Sequence, residues 1–169
     1  MPSLLNSETD TTGSPNDITE LLTGLNKFAD AIHGNAIEKG FWKEMDYADY
    51  IYLHGKEHKS LQDAVISQKI SLIHSELGEA TEALRSPAGR VSETDLILYA
   101  GMADEKDLSE YAKNESFEKH IKDSFEDEMA DTIIRILDLC AALDIDIEFH
   151  IKEKFKYNLG REKLHGKEF

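Results

Sequence analysis

The sequence predicts an all-α protein, a helical bundle of four main helices. Three observations carry that prediction. Apolar residues recur every three or four positions over several long stretches, the spacing of one buried helical face. Only 3 prolines and 10 glycines occur in 169 residues, and most of them fall between those stretches. Hydrophobic residues make up 40% of the chain, enough to fill the seam of a bundle built as one domain.

Residues 1–16 are rich in Ser, Thr, Asn and Gly and read as a disordered N-terminal tail, leaving 17–169 as a single domain. Asp17 with Glu20 has the form of a helix N-cap and its reciprocal partner. Ile18, Leu21, Leu22, Leu25, Phe28, Ala29 and Ile32 then keep helical spacing into Gly34 and Asn35. Gly40 to Glu44 reads as a helix end or short turn, and Tyr47 to His58 as a connector. Ser60, with Asp63 three residues on, marks the start of a long helix that ends near Arg85, where Ser86-Pro-Ala-Gly89 breaks it. Arg90 to Asn114 is polar apart from Leu96, Ile97, Leu98 and Tyr99, and fits a short helix or a flap. Ser116 is expected to open the next helix, which runs to about Leu143. Asp144 or Asp146 caps the last one, whose apolar stripe is Ile147, Ile151, Phe155 and Leu159.

The formal net charge is −15 and the pI about 4.8. Like charge repels, so non-specific binding to nucleic acid or to an anionic membrane is not expected. A divalent cation suits this balance; an anionic substrate does so only with local positive charge. Cys140, the single cysteine, lies among apolar neighbours and reads as a buried structural thiol. No basic stretch precedes an apolar run and none approaches membrane-spanning length, so a soluble cytoplasmic protein is expected.

The long helix carries an unusual acid. At about 100° per residue, Leu72, Ile73, Leu77, Ala80, Ala83 and Leu84 form one apolar arc, with Glu76 in its middle and Glu79 beside it. Burying an unpaired carboxylate costs several kcal/mol, comparable to the stability of a whole domain, so Glu76 calls for a positive partner. The next helix offers Glu128 and Asp131 at the same spacing, Glu128 at the edge of an arc of Met129, Thr132, Ile133, Ile136, Leu137 and Cys140. Two helices with acids at i and i+3 are able to converge four carboxylates on a hard divalent cation. The plainer reading is surface charge, since 34 of 169 residues are acidic.

On the last helix Lys154, Asn158, Arg161 and His165 fall at i, i+4, i+7 and i+11, with Lys167 just beyond. Such a row is either a solvated helix end whose cations meet the helix dipole or a clamp for phosphate oxygens.

Taken in order, these blocks resemble the MazG-like all-α nucleoside triphosphate pyrophosphohydrolases. Ile32-His-Gly-Asn-Ala-Ile-Glu-Lys-Gly-Phe-Trp42 is similar to that family's first helix. His74-Ser-Glu-Leu-Gly-Glu-Ala-Thr-Glu-Ala-Leu-Arg85 and Glu126-Asp-Glu-Met-Ala-Asp131 are similar to its two acidic motifs, ExxE and ExxD. Lys154-Phe-Lys-Tyr-Asn-Leu-Gly-Arg-Glu-Lys-Leu-His-Gly-Lys167 is similar to its C-terminal basic run.

The resemblance implies that Glu76, Glu79, Glu128 and Asp131 coordinate Mg²⁺, with Mn²⁺ as a substitute. It implies hydrolysis of an NTP or dNTP between the α and β phosphates to a monophosphate and pyrophosphate. Lys154, Asn158, Arg161, His165 and Lys167 would hold the phosphates, and Glu79 or Glu82 would accept a proton from the attacking water. Phe41 and Trp42 either stack on a base or, more simply, pack the first helix onto the core; Asn35 is a candidate to read a base edge. A homodimer or homotetramer is implied, in which a neighbouring chain supplies phosphate-binding residues.

Two features depart from the family pattern. Ser75 stands where a second acid often precedes Glu76, with Glu82 as a possible replacement. The 48 residues from Ala80 to Asp127 form a longer gap than the family's, which makes 90–115 an insertion or lid. Two other readings remain open. One is a narrower nucleotide pyrophosphatase acting on dUTP or phosphoribosyl-ATP. The other is a non-catalytic acidic helical module, in which Glu76 is exposed or paired with an internal base such as Arg135 and metal has no effect on stability.

Overall fold

The computed structural model describes residues 22–45, 58–86, 89–103 and 109–161. The regular elements among them are all helical: α1 (Leu25–Glu38), α2 (His58–Arg85), α3 (Glu93–Ala103), α4 (Glu110–His120), α5 (Phe125–Ala142) and α6 (Ile147–Leu159). No helix among the described residues is long and apolar enough to cross a membrane.

Several boundaries differ from those expected. Asp17, Glu20 and the 1–16 segment lie outside the described residues, and Leu22 to Gly24 is a turn rather than helix. Helix α1 starts behind Gly24, whose φ of +99° suits glycine, and runs through Gly34 and Asn35. A mid-helix glycine costs about 1 kcal/mol, which burial of Ala36 in the next turn helps to offset. The actual stop is Gly40, at φ +82°. Helix α2 begins at His58, so Ser60 lies inside it rather than capping it.

The single helix expected from Ser116 to Leu143 is two helices. Ser116 is buried within α4, whose cap is Ser109; Ser124 caps α5 by accepting from the Asp127 N–H at 3.2 Å. Asp127 returns the favour, its Oδ2 accepting from the Asp123 N–H at 3.0 Å. This reciprocal box and the left-handed Asp123 (φ +60°) break the chain between the two helices. Asp146, not Asp144, caps α6, accepting from the Phe149 N–H at 3.0 Å. Because α6 ends at Leu159, Arg161 lies beyond it, and the basic row is not one continuous helical line.

Helix α5 packs against both α2 and α1, while α6 rests on α1 and α3 pairs with α4. The α3–α4 pair is held by an edge-to-face contact of Tyr99 with Phe117 and by His120 Nδ1, 2.8 Å from Asp95 Oδ1. The described residues of the 90–115 segment include α3 and the start of α4.

The seam is lined by small side chains. Ala29 and Ala36 of α1, Ala80 and Ala83 of α2, and Thr132, Leu137 and Cys140 of α5 are buried. Larger residues flank it: Leu77 is 42% exposed, Leu84 53%, Ile133 53% and Phe28 56%. The arc on α2 is thus divided, its alanines and Glu76 facing α5 and its leucines left at the sides.

Gly89 fixes how α2 leads toward α5. Its carbonyl accepts from the Phe125 N–H at 2.9 Å, Val91 N–H donates to Glu126 at 3.0 Å, and Arg90 pairs with Glu126. A Cβ at Gly89 would lie 2.0 Å from the Ala83 carbonyl oxygen, so only glycine fits. This joint sets the end of α2 against the first turn of α5, where the second acidic pair begins.

Candidate functional site

The seam between α2 and α5 contains two carboxylates. Glu76 is 5% exposed and Glu128 6%, Glu128 in the seam itself rather than at its edge. Glu79, one turn along α2, is exposed at the rim. One oxygen from each of Glu76, Glu79 and Glu128 lies within 4.8 Å of the other two. Asp131 is half-buried and falls outside that mutual spacing.

Crowding of negative charge has the expected electrostatic effect. Burial, followed by the charges of Glu79 and Glu76, pushes the Glu128 carboxyl up to about 7. Burial and then Asp127 and Glu76 raise Asp131 above the ordinary carboxylate range. The positive group at this cluster is Arg135, whose Nε is 2.5 Å from Glu76 Oε1. Its Nε–H is buried yet makes no hydrogen bond, so the pair is close but poorly aligned. Ser75, in the place of an adjacent acid, donates from Oγ to Glu79 Oε1 at 3.2 Å. Glu82 is solvent-exposed and pairs with Arg85 at 2.5 Å.

A cleft of about 200 Å³ adjoins the acids. Asp131, Arg135 and Asp138 of α5 form one side, with Asn35, Phe41 and Lys69 around it and Ile32, Leu72 and Ile134 as apolar wall. Asn35 is therefore positioned at the cleft. Trp42 is buried beneath it, 5% exposed, in a cluster with Ala36 and Val65. Its Nε1–H donates to both oxygens of Asp138, at 3.0 and 3.1 Å, and its ring meets His33 edge-on at 5.0 Å. His33 Nδ1 lies 2.7 Å from Asp138 Oδ1, and Lys69 Nζ sits 4.3 Å over the Trp42 ring while donating to the Phe41 carbonyl. Of the two readings for Trp42, packing is the one this arrangement matches.

The described part of the basic row, Lys154, Asn158 and Arg161, is elsewhere. Lys154 and Arg161 lie against the Tyr157 ring, at 5.0 and 5.6 Å, and Lys154 and Asn158 border an open groove along the apolar stripe of α6. None of these three lines the cleft. His165 and Lys167 lie outside the described residues.

No family model, curated protein or solved structure matches this chain. The chemistry of the site rests on its own residues. Three carboxylate oxygens at this spacing, two of them from buried side chains, are the hard donor set that suits a small divalent cation. One guanidinium faces four acids, so the cluster retains negative charge to offer. Lys69, Asp138 and His33 escaped the sequence reading. Lys69 had a signal, lying two turns before Glu76 on the same helical face; Asp138 lies likewise two turns after Asp131. His33 had none, because its contact with Asp138 spans 105 positions.

Proposed function

We propose that this protein is a Mg²⁺-dependent nucleoside triphosphate pyrophosphohydrolase, cutting an NTP or dNTP between the α and β phosphates, as the MazG-like resemblance implies. The observation that carries this reading is the meeting of Glu76, Glu79 and Glu128 across the α2–α5 seam, beside a cleft edged by Asn35, Lys69 and Arg135. Glu76, Glu79, Glu128 and Asp131 would hold the ion. Bound Mg²⁺ supplies Lewis-acid polarisation and lowers the pKa of a coordinated water. Glu79, the exposed acid of the three, or Glu82 would take the proton of the attacking water. Lys69 and Arg135 bring positive charge to the cleft side of the cluster, and Asn35 offers an amide to a base edge. On this reading the bundle has four main helices, with 90–115 as an insertion or lid between the two acidic helices, in a cytoplasmic enzyme.

The reading includes a homodimer or homotetramer. Exposed apolar side chains on α2 and α5 offer a surface to a second copy, and that copy's basic segment, Lys154, Asn158, Arg161, His165 and Lys167, would add phosphate contacts to those of Lys69 and Arg135.

The test is product analysis of purified protein against a panel of NTPs and dNTPs, with dUTP and phosphoribosyl-ATP included. Monophosphate and pyrophosphate are expected with Mg²⁺, abolished by EDTA and reduced at least about a hundredfold in Glu76→Gln, the scale for loss of a transition-state charge contact. Turnover confined to dUTP or phosphoribosyl-ATP would select the narrower enzyme. No turnover of any nucleotide would overturn the proposal.

One observation favours the non-catalytic reading. Glu76 is paired with Arg135, the arrangement expected of an acidic interaction module whose buried charge is already satisfied. In that case Glu76→Gln stays inert to Mg²⁺ in thermal melts, as does the unaltered protein.

A further inference from the structure

We infer that Arg135 is a displaceable counter-ion, pairing with Glu76 while no divalent cation is bound and released into the cleft when one binds. The inference rests on the metal-dependent reading above. A carboxylate buried as deeply as Glu76, with a side chain 7% exposed, needs a cation. Arg135 is the base in ion-pair contact with it among the described residues. The quality of the pair is what marks it as exchangeable. Strong Arg–carboxylate pairs align two parallel N–H donors, whereas here Nε approaches to 2.5 Å with its hydrogen unbonded.

The two partners are also unequally held. Glu76 is fixed in the seam, but the Arg135 side chain is 40% exposed and already forms part of the cleft wall with Lys69 and Asn35. Asp131, one turn back on α5, is also near it, and the guanidinium works against the rise in that carboxyl's pKa. A cation seated among Glu76, Glu79 and Glu128 would compete with the guanidinium for Glu76 and repel it. The side chain then has the adjoining cleft open to it, where its planar fork suits phosphate oxygens. Cation and phosphate-bearing ligand would accordingly bind in a coupled way, each favouring the other.

Two measurements test this. In wild-type protein, nitrogen-edited NMR follows the Arg135 Nε–H signal, assigned by its absence from Arg135→Lys, while Mg²⁺ is added. The expected result is a Mg²⁺-dependent shift with faster exchange against water, and a further shift when inorganic phosphate is added with Mg²⁺ but not without it. Calorimetric titration of Mn²⁺ into Arg135→Met, with Arg135→Lys as the charge-preserving control, is expected to show tighter binding by about five- to a hundredfold, the usual range of such couplings. Mg²⁺ binding with the Arg135 signal unmoved, or Mn²⁺ affinity unchanged or weaker in Arg135→Met, overturns the counter-ion role and leaves the metal site standing. Absence of any cation binding in wild type and variants alike overturns both. The wild-type spectrum decides the matter even if Arg135→Met fails to fold.

Discussion

At Glu128, a side chain with almost no access to water sits between the charges of Glu76 and Glu79 and keeps its proton up to about pH 7. The ordinary value is 4.5. A raised acid leaves folding unburdened below its unfolded pKa and burdens it increasingly as pH climbs through the folded one. Glu128→Gln, which keeps the shape and removes the charge, should therefore stabilise the cation-free protein at pH 8 and change little at pH 5. Each pKa unit is worth about 1.4 kcal/mol, so the gain at pH 8 is at most a few kcal/mol. Calorimetric melts in EDTA at the two pH values measure it; equal destabilisation at both would show that no repulsion is being relieved. On the proposed function the same substitution also removes a cation ligand, and Mg²⁺ should then no longer raise the melting temperature. The burial of Glu76 was legible from its place in an apolar arc, because helical periodicity alone puts it there. The ion pair with Arg135 was open only as one alternative, since it depends on how closely α2 and α5 approach.

Among elements, the junction of α1 and α6 is bound by a reciprocal set of polar contacts. Glu148 Oε1 accepts from the N–H groups of Gly24 at 2.8 Å and Asn26 at 3.0 Å, and the Asn26 amide donates to Asp146 Oδ1 at 2.8 Å. The Asn26 backbone N–H, with that of Gly24, holds the Glu148 carboxyl below its ordinary 4.5, and the Asn26 side chain, with the Phe149 N–H, holds Asp146 below 3.8. Depressed acids stabilise above their unfolded pKa and lose that contribution as pH falls through the folded one. Docking of α6 should therefore weaken below about pH 4, the lower end of the ordinary carboxylate range. Amide shifts of Gly24 and Asn26, followed by NMR from pH 6 to 3, should move together in wild type and stay flat in Glu148→Ala; a wild-type titration no different from the variant's would refute the linkage. The cap Asp146 could be narrowed from sequence to two candidates, and the structure chose the one in reach of both Phe149 and Asn26. That Ser124, rather than the expected Ser116, opens α5 is less legible. Both precede acids and apolar residues, and what separates them is the left-handed turn at Asp123, which no spacing rule announces.

Over the whole molecule, the proportions of the core matter most. Among the described residues the buried apolar set is Ala29, Ala36, Trp42, Val65, Ala80, Ala83, Leu137 and Cys140, in which alanine is the commonest residue, while Leu84, Ile97, Ile133 and Phe149 each remain about half exposed or more. The all-α class followed from periodicity. The thinness of the seam did not, because an apolar arc records which face avoids water and not what covers it. Apolar faces of this breadth favour self-association, opposed by the net charge of −15. Sedimentation should accordingly show a dimer or tetramer that strengthens as salt screens the repulsion. Leu84→Glu with Ile133→Glu should shift it to monomer with helical content unchanged; a monomer in the unaltered protein at high salt would remove the oligomer from the proposed function.

The clasp between Glu148 and Gly24 joins residues 124 positions apart. The entropy of closing so long a loop is unfavourable until helices between its ends have paired and shortened the free chain. The folding order expected from this is that α2 and α5 come together first, α1 joins them, and α6 closes last. In the interval α6 has no surface to dock on, and the stripe of Ile147, Ile151, Phe155 and Leu159, which the finished fold covers only in part, is wholly open to other unfinished chains. Refolding yield should then fall with protein concentration long before the finished fold shows any weakness.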